Sequence, residues 1–224
     1  MKKINFFIDG KKVIAEHGES IWKVAKRYGN TLTHLCFADK SGYRADGNCR
    51  ACMVSIEGER VLAASCLREP SEGMKVFTKD ARSEKSRQMV LELLVTDQPQ
   101  IDLSHDPESH FWKMAEKVDV SKSRFDKREA TMVPNSDNSN KAMSVNLDAC
   151  IHCNLCVRAC REVQVNDVIG MGERGHSSKI IIDFDESSSL DTFDKVLKRF
   201  FALSIIGLLI FASVHFLSIY LNYT

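Results

Sequence analysis

The chain has 224 residues, 44% hydrophobic and 27% charged, enough to bury one large or two small cores. Lys and Arg number 31 against 30 Asp and Glu, a net charge of +1. That leaves no basic excess to grip a nucleic-acid backbone, and no nucleic-acid partner is expected. The apolar stretch after the N-terminus stops at Asp9, too short for a secretory signal, so the eight cysteines are expected to meet a reducing compartment and to serve as metal ligands rather than disulfides.

The first elements read as strands and a helix. KINFFID and KKVIA flank Asp9-Gly10, a pair that tolerates the positive φ of a tight hairpin turn. Ser20 is placed to cap a helix over IWKVAKRYG, with Ile21, Val24 and Ala25 on one face and Gly29 ending it. ACMVSI and RVLAAS around Glu57-Gly58 make a second strand pair, and MKVFTK a last strand. The fold class is α+β, with a first domain over residues 1–80. SEKSRQMVLELLVTD then reads as an amphipathic packing helix presenting Met89, Val90, Leu93 and Leu94, within a helical connector over 81–130. TMVPNSDNSNK, 131–141, reads as a polar linker.

The cysteines fall into two sets of four. In Cys36-x12-Cys49-x2-Cys52-x13-Cys66, the two-residue gap of GNCRAC lets both sulfurs address one centre, and Gly47 allows backbone N–H groups to approach it. Spacing alone leaves a structural Zn(Cys)4 site and an iron–sulfur cluster both open, because plant-type 2Fe-2S proteins have four residues in the first gap. The second set, Cys150-x2-Cys153-x2-Cys156-x3-Cys160, has the spacing of half a bacterial ferredoxin, in which three thiolates hold one cluster and the fourth serves another. It lies in a region spanning 142–185 that ends in the strand-like KIIIDFD. MGERGH, 171–176, is a two-glycine turn rather than a dinucleotide fingerprint.

From Phe200 to Leu221 the chain runs FFALSIIGLLIFASVHFLSIYL without a formal charge. As a helix this would span ~33 Å, enough for a bilayer core of about 30 Å. Lys195, Lys198 and Arg199 precede it and no basic residue follows, so the expectation is a C-terminal anchor with the bulk of the chain on the cytoplasmic side of a membrane. His215 inside the run is expected to face a neighbouring helix or the interface rather than a heme or quinone.

HLCFADKSGYRADGNCRACMVSIEGERVLAASC resembles the N-terminal 2Fe-2S domain of the NAD-dependent formate dehydrogenase alpha subunit and, more distantly, the large iron–sulfur subunit of respiratory complex I. LLVTDQPQIDLSHDPESHFW and SVNLDACIHCNLCVRACREVQVNDVIGM continue the resemblance to about Asp185. It implies a β-grasp, ferredoxin-like domain with one 2Fe-2S cluster on Cys36, Cys49, Cys52 and Cys66, followed by a partial 4Fe-4S ferredoxin-like region on Cys150, Cys153, Cys156 and Cys160. Three departures stand out. Residues 96–112 offer His105 and His110 but no cysteine, so the His-plus-three-Cys cluster of complex I proteins is not carried over. The second Cys-x2-Cys-x2-Cys-x3-Cys motif that should follow Asp185 is replaced by SSSLDTFDKVLKR and the apolar run, and the molybdenum domain is absent. On a regular helix Cys156 and Cys160 would share a face that aims Cys160 away from a cluster in the preceding loop.

The reading that follows is an electron-transfer subunit of a formate dehydrogenase- or NADH dehydrogenase-like complex, partnered by other subunits of that complex and by the membrane, with catalysis left to partners. A truncated non-catalytic fragment of a dehydrogenase alpha subunit and a membrane-tethered structural metal module are the alternatives.

Overall fold

The computed structural model describes residues 3–127, 129, 133, 136 and 144–182. The apolar run 200–221, its His215 and all of the 131–141 linker except 133 and 136 lie outside the described residues, as do the last residues of KIIIDFD. Among the described residues no helix is long and apolar enough to cross a membrane.

Strands β1 (Lys3–Ile8) and β2 (Lys11–Glu16) form the expected hairpin, with Asp9 at φ 48° and Gly10 at φ 79° in the turn. Helix α1 (Ile21–Arg27) starts where Ser20 accepts a hydrogen bond from the Lys23 N–H, and the chain leaves it through Gly29 at φ 83°. Strands β3 (Met53–Ile56), β4 (Ala63–Ala64) and β5 (Lys75–Phe77) complete a five-stranded mixed sheet ordered β2-β1-β5-β3-β4. Only β1 and β5 run parallel. RVLAAS, expected as a full strand, pairs only through Ala63 and Ala64, because the chain then turns so that Ser65 and Arg68 can accept from the first N–H groups of α1.

Alternation along the strands puts Phe6, Ile8, Val13, Ala15, Val54, Ile56 and Val76 on one face, where α1 covers them with Ile21, Trp22, Val24 and Ala25. A second core lies beyond the sheet. It is built from Leu91 and Val95 of α2 (Ala81–Val95) and Phe111, Trp112 and Ala115 of α3 (His110–Glu116), closed by Leu35, Ala51 and Val120. The helices of the 81–130 stretch thus form a packed wall beside the sheet.

Of the four residues expected on the buried face of α2, Val90 and Leu94 pack on the helical core, but the fully buried stripe is Ser83, Arg87, Leu91 and Val95 at i, i+4 spacing, and Leu93 is 48% exposed. Arg87 decides the phase: its guanidinium donates to the Met53 carbonyl at 2.8 Å and the Thr78 carbonyl at 2.7 Å. Asp80, the N-cap, accepts from Ser55 at 2.8 Å and so ties the same helix to β3.

Beyond residue 144 come α4 (Leu155–Arg158), a single π turn (Ala159–Val163) and the antiparallel hairpin β6 (Ile169–Gly172) and β7 (Lys179–Ile182). Arg87→Met, which leaves two carbonyls without their donor, is expected to cost about 2–4 kcal/mol in urea unfolding, and Leu93→Ala less than about 0.5 kcal/mol. A larger loss at Leu93 than at Arg87 would contradict this helix phase.

Candidate metal centre

Cys36, Cys49, Cys52 and Cys66 come together at the seam between the two cores. Cys36, Cys52 and Cys66 are buried and Cys49 is half-buried. Each is held from a different direction. Leu35 faces the helical core while Phe37 faces the sheet core, which fixes Cys36 between them, and Ala51 and Cys52 divide in the same way. The Trp22 N–H donates to the Ser65 carbonyl at 2.9 Å and the Ile21 N–H to the Arg68 carbonyl at 2.8 Å, so the start of α1 sets the position of Cys66. Ser65 returns to the Cys52 carbonyl through its hydroxyl at 2.7 Å and its N–H at 3.2 Å, and the Thr33 hydroxyl donates to the Ala51 carbonyl.

The four thiols form two facing pairs, Cys36 with Cys49 and Cys52 with Cys66, each joined by a sulfur–sulfur hydrogen bond. The hydrogen bond from Cys36 brings Cys49 down to about 6, and that from Cys66 brings Cys52 down to about 7, while Cys36 and Cys66 are pushed up. Backbone N–H groups of Cys36 and Ala51 point at the Cys49 sulfur at 3.4 and 3.5 Å. Arg50, between Cys49 and Cys52, has φ 57°, and the Ala51 N–H that follows it is one of the two aimed at the Cys49 sulfur. Among the described residues no three His, Cys, Asp or Glu side chains close on one metal ion.

Beside this site the neutral ring of His34, held below its usual value by burial, packs edge-on against Trp22 and His110 at 4.6 Å each. His110 also bonds the His34 carbonyl at 2.7 Å, and His105 lies 2.6 Å from the Asn146 amide, so neither histidine stands with the other in a ligand cluster.

The second cysteine set does not sit apart. Ile151 packs on the helical core, Arg158 donates to the Cys36 carbonyl, and burial raises Cys153. His152 at φ 50° and Asn154 at φ 60° stand in left-handed backbone between the cysteines of this loop. Cys156 is exposed and Cys160 buried. The single-helix expectation for these two fails, because α4 stops at Arg158 and Cys160 rides the wider π turn that follows. Sequence reasoning missed Arg158, buried at 5% exposure, which donates to the carbonyls of Cys36 and Arg44. No local signal marks it, since its partners are more than a hundred residues away in sequence.

Residues 1–81 match the family described as the 2Fe-2S iron-sulfur cluster binding domain. The N-terminal part of this chain is a 2Fe-2S domain. The chain is 28% identical over 183 residues to the 78 kDa subunit of NADH-ubiquinone oxidoreductase from Candida albicans, covering 80% of this chain and 25% of that protein. It is 28% identical over 190 residues to the NADP-reducing hydrogenase subunit HndD of Solidesulfovibrio fructosivorans, covering 83% and 32%. It thus spans about a quarter to a third of the length of these relatives. In a crystal structure of an NAD+-reducing [NiFe]-hydrogenase in the H2-reduced state, one chain shares the fold with a TM-score of 0.68 at 23% identity, over 83% of this chain and 80% of that one. The chain is an iron–sulfur electron-transfer protein related to these oxidoreductase subunits.

Gly47→Ala is expected to lower stability by about 1–2 kcal/mol through its positive φ. The added Cβ would also meet Leu67 Cδ1 at 2.1 Å. Leu67→Ala in the same chain should relieve only the clash, so full recovery on thermal unfolding would show that backbone conformation is not what Gly47 supplies.

Proposed function

We propose that this chain relays single electrons inside a multi-subunit dehydrogenase- or hydrogenase-type complex. The observation that carries this reading is the buried double pair of thiols at 36, 49, 52 and 66 with the second cysteine loop packed against it. Cys36 and Cys49 would hold one iron and Cys52 and Cys66 the other. A bound 2Fe-2S cluster supplies one-electron exchange at iron. The chain's own residues keep the site dry, hold the four sulfurs from opposed cores, and direct the Cys36 and Ala51 amides at the Cys49 sulfur, which favours added negative charge.

Cys150, Cys153 and Cys156 would hold a 4Fe-4S cluster, with the fourth thiolate from Cys160 or from a partner subunit. The sequence resemblance favours formate oxidation as the source of electrons, with the redox chemistry at the substrate carried by partners. The uncharged run at 200–221 after Lys198 and Arg199 favours attachment to the cytoplasmic face of a membrane.

After anaerobic purification, iron and acid-labile sulfide are expected at about six and six per chain with two EPR signals, or about two and two with one if the second centre needs a partner. Cys52→Ser should abolish the 2Fe-2S signal, and its survival would sink the assignment. A chain ending at Arg199 is expected to leave the membrane fraction after carbonate washing while the full chain stays; full-length protein washed off by carbonate would overturn the anchor.

A further inference from the structure

Arg158 belongs to the second cysteine segment, two residues after Cys156 and two before Cys160, yet its named partners lie in the first cysteine loop. Its Nη2 donates to the Cys36 carbonyl, its Nη1 to the Arg44 carbonyl, and its Nε stands 4.0 Å from an Asp46 carboxylate oxygen. The side chain is 6% exposed. A cation taken this far from water is costly unless the protein answers it with acceptors or negative charge. Two neutral carbonyls take its Nη groups, its buried Nε has no hydrogen-bond partner among the described residues, and Asp46 offsets part of its charge.

Two other contacts join the same surfaces. Glu162 accepts from Arg44 Nε at 2.9 Å, and Val163 Cγ2 lies 3.3 Å from where a Cβ on Gly42 would stand, at φ +85°. Both are at the surface: the Arg44 side chain is 72% exposed and Val163 41% exposed. A solvated ion pair contributes little, so the buried fork of Arg158 is the contact that holds loop 36–46 against the second segment. Lysine could not reproduce it, because one ammonium cannot bridge two carbonyls in the planar fork geometry.

A 2Fe-2S cluster on four thiolates carries net negative charge, and reduction adds one more electron. A buried cation on the carbonyl of a ligand residue lowers the energy of the reduced state more than that of the oxidised one. We propose that Arg158 is a positioning residue for the centre on Cys36, Cys49, Cys52 and Cys66: it pins the Cys36 and Arg44 carbonyls, and its buried charge raises that centre's reduction potential. The effect on potential rests on the cluster reading above; the pinning of the loop does not.

The test compares the full chain with Arg158→Gln and Arg158→Lys, purified anaerobically. Three quantities are read: iron content, the midpoint potential of the 2Fe-2S EPR signal, and amide hydrogen exchange over residues 36–46. Arg158→Gln is expected to shift the midpoint to lower potential and to speed exchange in 36–46 by about tenfold or more, with β1 and β2 unchanged. Arg158→Lys should retain most of the potential and lose the protection, a split that a purely structural role would not produce. An unshifted potential in iron-loaded Arg158→Gln, or unchanged exchange in both variants, overturns the proposal. Should the Gln variant fail to fold, exchange in the Lys variant decides alone. A parent chain without iron would instead defeat the cluster reading, and the exchange comparison would still decide whether Arg158 holds the loop.

Discussion

The stretch from Leu32 to Cys52 belongs to two hydrophobic cores at once, and the geometry of the thiols follows from that. Leu32, Phe37 and Cys52 enter the core between sheet and α1, whereas Leu35 and Ala51 enter the core made by α2 and α3. Residues next to each other in sequence are pulled to opposite sides. A loop of this length without regular structure would ordinarily be mobile. Here Cys36 and Cys52 each follow a residue, Leu35 and Ala51, anchored in the helical core, so packing as well as hydrogen bonding removes the loop's freedom.

Packing alone would leave four sulfurs in a poorly solvating environment. The structure answers with oriented dipoles. Amides of Cys36 and Ala51 face the Cys49 sulfur, the second of them following Arg50 in left-handed backbone. The left-handed backbone at Arg50 costs on the order of 1 kcal/mol, as strained conformations at working sites do, and persists because the surrounding cores leave no alternative. Metal binding would displace the thiol protons, which is the usual coupling between thiolate ligation and proton release.

The second cysteine set gains its place from the first. Ile151 reaches the helical core, Arg158 reaches the carbonyls of Cys36 and Arg44, and the π turn after α4 brings Glu162 to Arg44. The two sets are neighbours in space although residues 67–149 separate them in sequence. For a protein whose clusters would exchange electrons, that adjacency is the functional product of the fold, and the α2–α3 wall is what makes it. The wall in turn is fixed on the sheet by Arg87 and Asp80, polar residues whose partners are β-strand backbone and Ser55.

Local chemistry made several features legible in the sequence. Asp9-Gly10 can turn with positive φ, Ser20 can cap, and Gly29 can end a helix, so the hairpin and α1 follow from neighbours in the chain. The cysteine spacings announced metal chemistry because the Cys-x-x-Cys gap is itself a local geometry. The sequence did not reveal that Arg87 lies on the inner stripe of α2, because an arginine there looks like a solvent residue until the carbonyls of Met53 and Thr78 are brought to it. Nor could it show that Cys160 leaves the helical face of Cys156, since the π turn is imposed by packing. The two-by-two pairing of the first thiols and the docking of Arg158 depend on contacts between residues far apart in the chain. Short-range backbone preference determined the elements; burial of apolar side chains and satisfaction of buried polar groups decided how they meet.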